Sequence, residues 1–398
     1  MSSRAFAAAF RPLGSCGGPS TRCIASPRRE FSSTPACAFR SIFVETGNTE
    51  LDGVLKHIQE KIIFPSYLPR KQRKIVFDPR QEAYLDQNPV VIEVDGFEHK
   101  FPTINRYKDV ENSKKVLAKA LTMMKTARDW SNLGALLAGY RRAGIKLWPN
   151  HVGKITKVAA STGNTYALIE CAKQVERTQF ALDTPEVVAR VLLHINKKVT
   201  DSDWSEKQTA QAFTWSQTVL DLLLLPEHTP RGARGRDTFP LSRLFRSMLL
   251  FTRAAAAKVK QQAGQDVEKD LALLGEEVAL CTSLWGSPPP ENVGQIPELL
   301  QLCPTEDRKL DSQIHKALNG LAYVETLAQA IKGITLSREL LGHKAEKLMA
   351  VREALDKHLA EFVRSGPGRW QGWEDAYEKV VGRAPRWPRS AEDGRTSV

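Results

Sequence analysis

From residue 113 to residue 365, apolar side chains recur at steps of three and four, interrupted only by short turns. That period puts them on one face of successive α-helices and leaves little of the chain for a sheet. Residues 113–127, 129–143, 151–162, 164–177, 185–197 and 204–225 read as short helices, and 241–262 and 267–284 as two more. Links of a few residues force neighbouring helices to run antiparallel. The expected fold is therefore mainly α, with short helical hairpins in a solenoid-like stack.

Two longer stripes follow. Leu310, Ile314, Ala317, Leu321, Val324, Ala328 and Ile331 alternate steps of four and three, as do Leu341, Ala345, Leu348, Arg352, Leu355, Leu359 and Phe362. Gly333 lies between them, so the spacing predicts a C-terminal antiparallel coiled-coil-like helix pair that turns at Gly333. Upstream, Leu51 to Ile63 has helical spacing, stopped by Pro65 and Pro69. Val90–Val94 and Phe97–Phe101 flank Asp95-Gly96, which predicts one N-terminal β-hairpin. The organisation expected is a leader (1–40), a basic mixed region with the β-hairpin (41–112) and an α-hairpin domain (113–225). An Arg/Gly/Pro loop (226–240) follows, then a helical domain with the long hairpin (241–365) and a basic Trp/Arg tail (366–398). The loop reads as a domain boundary or a flexible excursion.

The first forty residues hold Arg4, Arg11, Arg22, Arg28, Arg29 and Arg40, no lysine and one acid, Glu30. An arginine-rich, serine-rich, acid-poor leader is a mitochondrial presequence signature, and Ala5–Phe10 is too short for a secretory apolar core. The expected location is the mitochondrial matrix. The leader carries +5 of the net charge of +12, which leaves +7 on the rest. A basic balance favours nucleic acid or another acidic surface as partner. Cys171, Cys281 and Cys303 are far apart and read as reduced structural thiols. No apolar run approaches the roughly 18 residues of a membrane span, so no span is expected.

Chemistry-bearing motifs are missing. No two of the eight histidines have a metal-binding four-residue spacing, and no Cys-x-x-Cys occurs. Gly134 to Gly139 has phosphate-loop spacing without the Lys-Ser/Thr that must follow, and it falls in a helical segment. No enzyme, cofactor or metal is expected. Trp130 and Trp204 read as core residues. The functional candidates are basic. Arg70, Lys71, Arg73 and Lys74, beside Tyr67 and Phe77, read as an extended stretch contacting several phosphates. Arg231, Arg234 and Arg236 alternate with Gly and Ala, which suits irregular RNA. Arg141, Arg142, Lys154 and Lys157 complete the expected RNA-binding set.

A faint repeat runs through 110–200. Asp129 and Asn164, and Leu133 and Leu168, hold equivalent places 35 residues apart. Asp129 and Asn164 stand where a short polar side chain can cap a helix. Ala143-Gly144-Ile145-Lys146-Leu147-Trp148-Pro149-Asn150 resembles the repeat end of the pentatricopeptide family, with two extra residues before the proline. By that resemblance the base-reading places fall near Ala120 and Ile155, whose side chains cannot make base-discriminating hydrogen bonds.

The whole layout resembles a fungal-type, lineage-specific mitochondrial ribosomal protein. That resemblance implies a structural role, contacts to mitochondrial rRNA and neighbouring mitochondrial ribosomal proteins, and a lean to the large subunit. Two alternatives are a pentatricopeptide-like RNA-processing or translation factor, and a respiratory-complex assembly factor that uses the C-terminal helix pair as a clamp.

Overall fold

The computed structural model describes residues 43–94, 96–286, 288–304, 318–365 and 372–387. The leader lies outside these residues, as do Leu310, Ile314, Ala317 and Trp370. The described chain begins with α1 (Thr49–Ile58), whose first amides Glu50 N and Leu51 N donate to Asn48 Oδ1 at 3.0 and 3.2 Å. Leu51, Leu55 and Ile58 form its buried face. One π turn, Gln59–Ile63, adds a residue to the spiral and buries Ile62 and Ile63 together. After α2 (Arg70–Val76) and α3 (Glu82–Gln87) comes the expected hairpin. Strands β1 (Val91–Val94) and β2 (Phe97–Lys100) run antiparallel, with Val91 opposite Lys100 and Val94 opposite Phe97. A small separate core, including Phe64, Val76, Leu85 and Phe101, packs this region.

The hairpin stack comprises α4 (Ser113–Met123), α5 (Ala127–Trp130), α6 (Leu133–Arg142), α7 (Pro149–Ser161), α8 (Thr165–Lys173), α9 (Val175–Thr178), α10 (Pro185–Asp201) and α11 (Glu206–Leu223). The first helices of successive hairpins, α4, α7 and α10, pack in one row; the second helices, α6, α8 and α11, pack in another. This is the solenoid-like arrangement the spacing predicts. Leu133 and Leu168 are both fully buried. The two polar starts differ. Asp129 Oδ2 accepts from Lys125 N and Thr126 N, both at 2.9 Å, while Asp129 N donates back to Thr126 Oγ1. Asn164 instead braces its turn, Nδ2 donating to Thr162 O at 2.9 Å, and makes no side-chain cap.

The 226–240 loop is anchored rather than free. Buried His228 accepts the Leu182 amide on Nδ1 at 2.9 Å, and Phe239 and Pro240 are buried. Residues before and after the loop share one apolar cluster that extends from Leu51 to Trp387.

Beyond it lie α12 (Arg243–Gln262), α13 (Glu268–Trp285), α14 (Pro297–Leu302), α15 (Gly320–Leu341), α16 (Lys347–Ser365) and α17 (Trp373–Val381). Helix α15 is the axis, packed on α10, α12, α13, α16 and α17. The antiparallel pair α15–α16 is present, and Leu348, Leu355, Leu359 and Phe362 are buried. Its turn is not at Gly333. The helix continues through Gly333, and the reversal comes at Gly342, where φ is +60°. Gly333 is a close-approach residue at the α12 crossing, not a turn residue.

A buried polar set joins three helices: Asn196 Nδ2 donates to Met248 O and Gln329 Oε1, and Gln329 Nε2 donates to Leu193 O at 2.9 Å. Each such bond contributes about 1 kcal/mol net, but an amide left unpaired there would cost more. Trp130 is a core residue as expected, whereas Trp204 is half-buried and packs edge-on against Phe251 at the margin of the core. Cys171 and Cys281 are buried free thiols.

Candidate nucleic-acid interface

The 70–74 run is helical, not extended. Arg, Lys and Gln are good helix formers, and Pro69 leads directly into the first turn. Val76 then anchors the helix in the small core. Winding the run separates its four charges. Arg70, Lys71 and Lys74 are exposed. Arg73 turns inward, and its Nη2 donates to Ser66 O at 3.0 Å and Leu68 O at 3.1 Å. It clamps the preceding turn, so three of the four cations on α2 face solvent.

The last turn of α6 comes to the same place. The Arg142 guanidinium carbon stands 3.8 Å from the centre of the Tyr67 ring. Arg141 and Arg142 are both exposed. The basic end of α6 thus meets the turn that precedes α2.

A second basic area surrounds the start of α7. Trp148 is 53% exposed, and Lys146 Nζ lies 5.2 Å from its ring centre. The Trp148 amide donates to His151 Nδ1 at 3.3 Å. Burial, with Lys114 and Lys154 nearby, holds the His151 imidazole below its ordinary pKa. Lys154 is half-buried, and Lys157 is exposed. Lys114, Lys146 and Trp148 are absent from the sequence-predicted set. The available signal was a tryptophan next to a lysine-bearing turn, just ahead of a helix-starting proline.

Other predicted residues are partly committed to acids. Arg231 lies beside Asp183, where burial raises the carboxyl pKa and Arg231 opposes the rise. Lys157 acts in the same sense on buried Glu186, which is also ion-paired with Arg190 at 2.8 Å. Arg231 and Arg234 are exposed, whereas the Arg236 side chain lies outside the described residues. The short turns at the two ends of this loop pack on α11, in a different part of the fold from α2. Ala120 and Ile155 are fully buried, so neither can meet a base.

Among the described residues no three His, Cys, Asp or Glu gather as a metal site, and no helix is long and apolar enough to cross a membrane. The surface offers exposed cations and an exposed indole.

A family model described as mitochondrial ribosomal protein mS27 matches residues 29–379. The chain belongs to the mS27 family. Its members are structural, non-enzymatic components of the mitochondrial ribosome, which puts this chain in the matrix, as the leader implies. The small ribosomal subunit protein mS27 of Neurospora crassa is similar at 33% identity over 203 residues, 51% of this chain and 50% of the relative. The chain spans about half the length of that curated relative. The relative is named as a small-subunit protein, which runs against the lean to the large subunit.

Proposed function

We propose that this mS27-family chain is a structural protein of the mitochondrial small subunit, seated on rRNA through its basic faces and on neighbouring ribosomal proteins through other surfaces. The observation that carries the rRNA contact is the approach of Arg142 to Tyr67, which brings the basic end of α6 against the turn that leads into the exposed cations of α2. A guanidinium stacked on a ring keeps its N–H edges free for phosphate oxygens. Small-subunit membership follows the name of the Neurospora relative. Burial of Ala120 and Ile155 argues against a free factor that reads one base per repeat.

The test is a high-salt sucrose gradient of mitochondrial lysate containing a tagged chain, scored against both rRNAs. Near-equal stoichiometry with small-subunit rRNA supports the reading. Migration with the large subunit, at the top, or in an RNA-free complex overturns it.

A further inference from the structure

Trp148 stands out among the tryptophans of the described residues. Most tryptophans of the described residues are buried, whereas Trp148 is 53% exposed at the link between two helical hairpins. Among the described residues no second aromatic ring packs on it; its ring contact is the Lys146 ammonium at 5.2 Å. The backbone beneath it is fixed, because its amide is tied to His151 Nδ1 at 3.3 Å and Pro149 starts α7 immediately after. Lys114 from α4 and Lys154 from α7 act on that same imidazole, so cations from two helices stand near the base of the link that carries the indole.

A large apolar ring held on a fixed link, with one ammonium against it and two more near the histidine that ties the link, suits a flat π-system that carries negative charge on either side. An unpaired nucleotide has both properties. A hydrophobic peptide would leave the three lysines without counter-charges. We propose that Trp148 is a stacking platform for an unpaired base of single-stranded RNA, with Lys114, Lys146 and Lys154 taking the flanking phosphates. This site rests on the rRNA-binding reading but lies apart from the base-reading places of the pentatricopeptide resemblance, which are buried. It gives affinity without choosing a base, because every base has a stacking face.

The test compares the full chain with its Trp148→Ala and Trp148→Phe variants on two probes, a twelve-nucleotide oligoadenylate and a twelve-base-pair RNA duplex, across a salt series. Trp148→Ala should weaken oligoadenylate binding about tenfold with the salt slope unchanged, since one stacked base is lost and no charge is removed. Trp148→Phe should recover most of the loss, and duplex binding should stay level. In intact ribosomes, a photo-crosslinking amino acid at position 148 should form an adduct with rRNA. Unchanged oligoadenylate affinity in Trp148→Ala, an equal loss on duplex, or a crosslink to protein alone would overturn the platform while leaving the rRNA-binding reading intact. A parent chain that binds neither probe in a salt-dependent way would sink both.

Discussion

Gly333 lies against the backbone of Phe251: a Cβ built on it would stand 2.7 Å from the Phe251 amide nitrogen and 2.8 Å from the Ser247 carbonyl oxygen. Helix propensity alone would favour Gly333→Ala by about 1 kcal/mol. The clash is with backbone on α12, which cannot rotate away, so the steric term wins. We expect Gly333→Ala to destabilise by about 1–3 kcal/mol in thermal or denaturant unfolding. Gly275, in α13 with nothing within 4 Å of its built Cβ, is the control. There Ala should stabilise by about 0.5–1 kcal/mol. Equal effects at the two glycines would mean that the α12–α15 crossing has room for a methyl group.

Asp356 joins the C-terminal helix to the bundle. Its carboxylate is buried, accepts the Tyr377 hydroxyl at 2.6 Å and pairs with Arg383. Burial, reinforced by the neighbouring carboxylate, pushes the Tyr377 phenol well above its ordinary range. Asp356→Ala leaves a buried hydroxyl without its acceptor and a guanidinium without its counter-charge. Arg383 is partly open to water and can recover hydration, so a loss of about 2–3 kcal/mol is expected. The local sign should be faster tryptic cleavage at Lys379 and Arg383. Cleavage at the parental rate would show that α17 is held without Asp356, by its apolar face and its contacts with Asp201 and Lys332.

The helical stack is legible because its cause is local. Leu133 and Leu168 mark the same buried place in successive hairpins, and the turns between helices are short. Two features depend on partners the sequence does not display. A lone glycine in an apolar run can mark a turn or a close approach. Gly333 becomes a close-approach residue only once α12 crosses it. Arg73 is one of four like charges in the run, and its inward role depends on the Ser66 and Leu68 carbonyls that the single 3-10 turn Phe64–Tyr67 and its end present to it. Trp148 is hidden for the opposite reason: tryptophan is usually a core residue, and only the fold leaves this one outside.

His194 predicts a pH dependence. Burial, with Lys197 and Arg190 adding to it, pulls its pKa from 6.5 to about 4. Between those values the unfolded chain binds a proton that the folded chain refuses. The contribution of His194 is therefore whole above pH 6.5 and is lost as pH falls toward 4, to a limit of about 3 kcal/mol. Denaturant unfolding of the parent and His194→Gln at several pH values should give curves whose separation changes across that window, the parent losing more stability. Parallel curves would mean that His194 is as protonatable folded as unfolded.

The α2 basic residues should separate by role. Arg70, Lys71 and Lys74 are exposed, and their charges are free to release counterions from a phosphate backbone. Replacing these three with Ala should weaken RNA binding and reduce the salt slope by about 0.7 for each phosphate no longer neutralised, with little change in melting temperature. Arg73→Ala should do the reverse. Two carbonyls lose a charged donor, so stability should fall by about 1–3 kcal/mol while the salt slope moves by less than it does for any exposed neighbour. Filter binding across a salt series reads the slope, and thermal melts read the stability, for the parent, the triple variant, Arg73→Ala and Lys74→Ala. If Arg73→Ala flattened the slope as much as Lys74→Ala, its guanidinium would be reaching RNA rather than holding the turn.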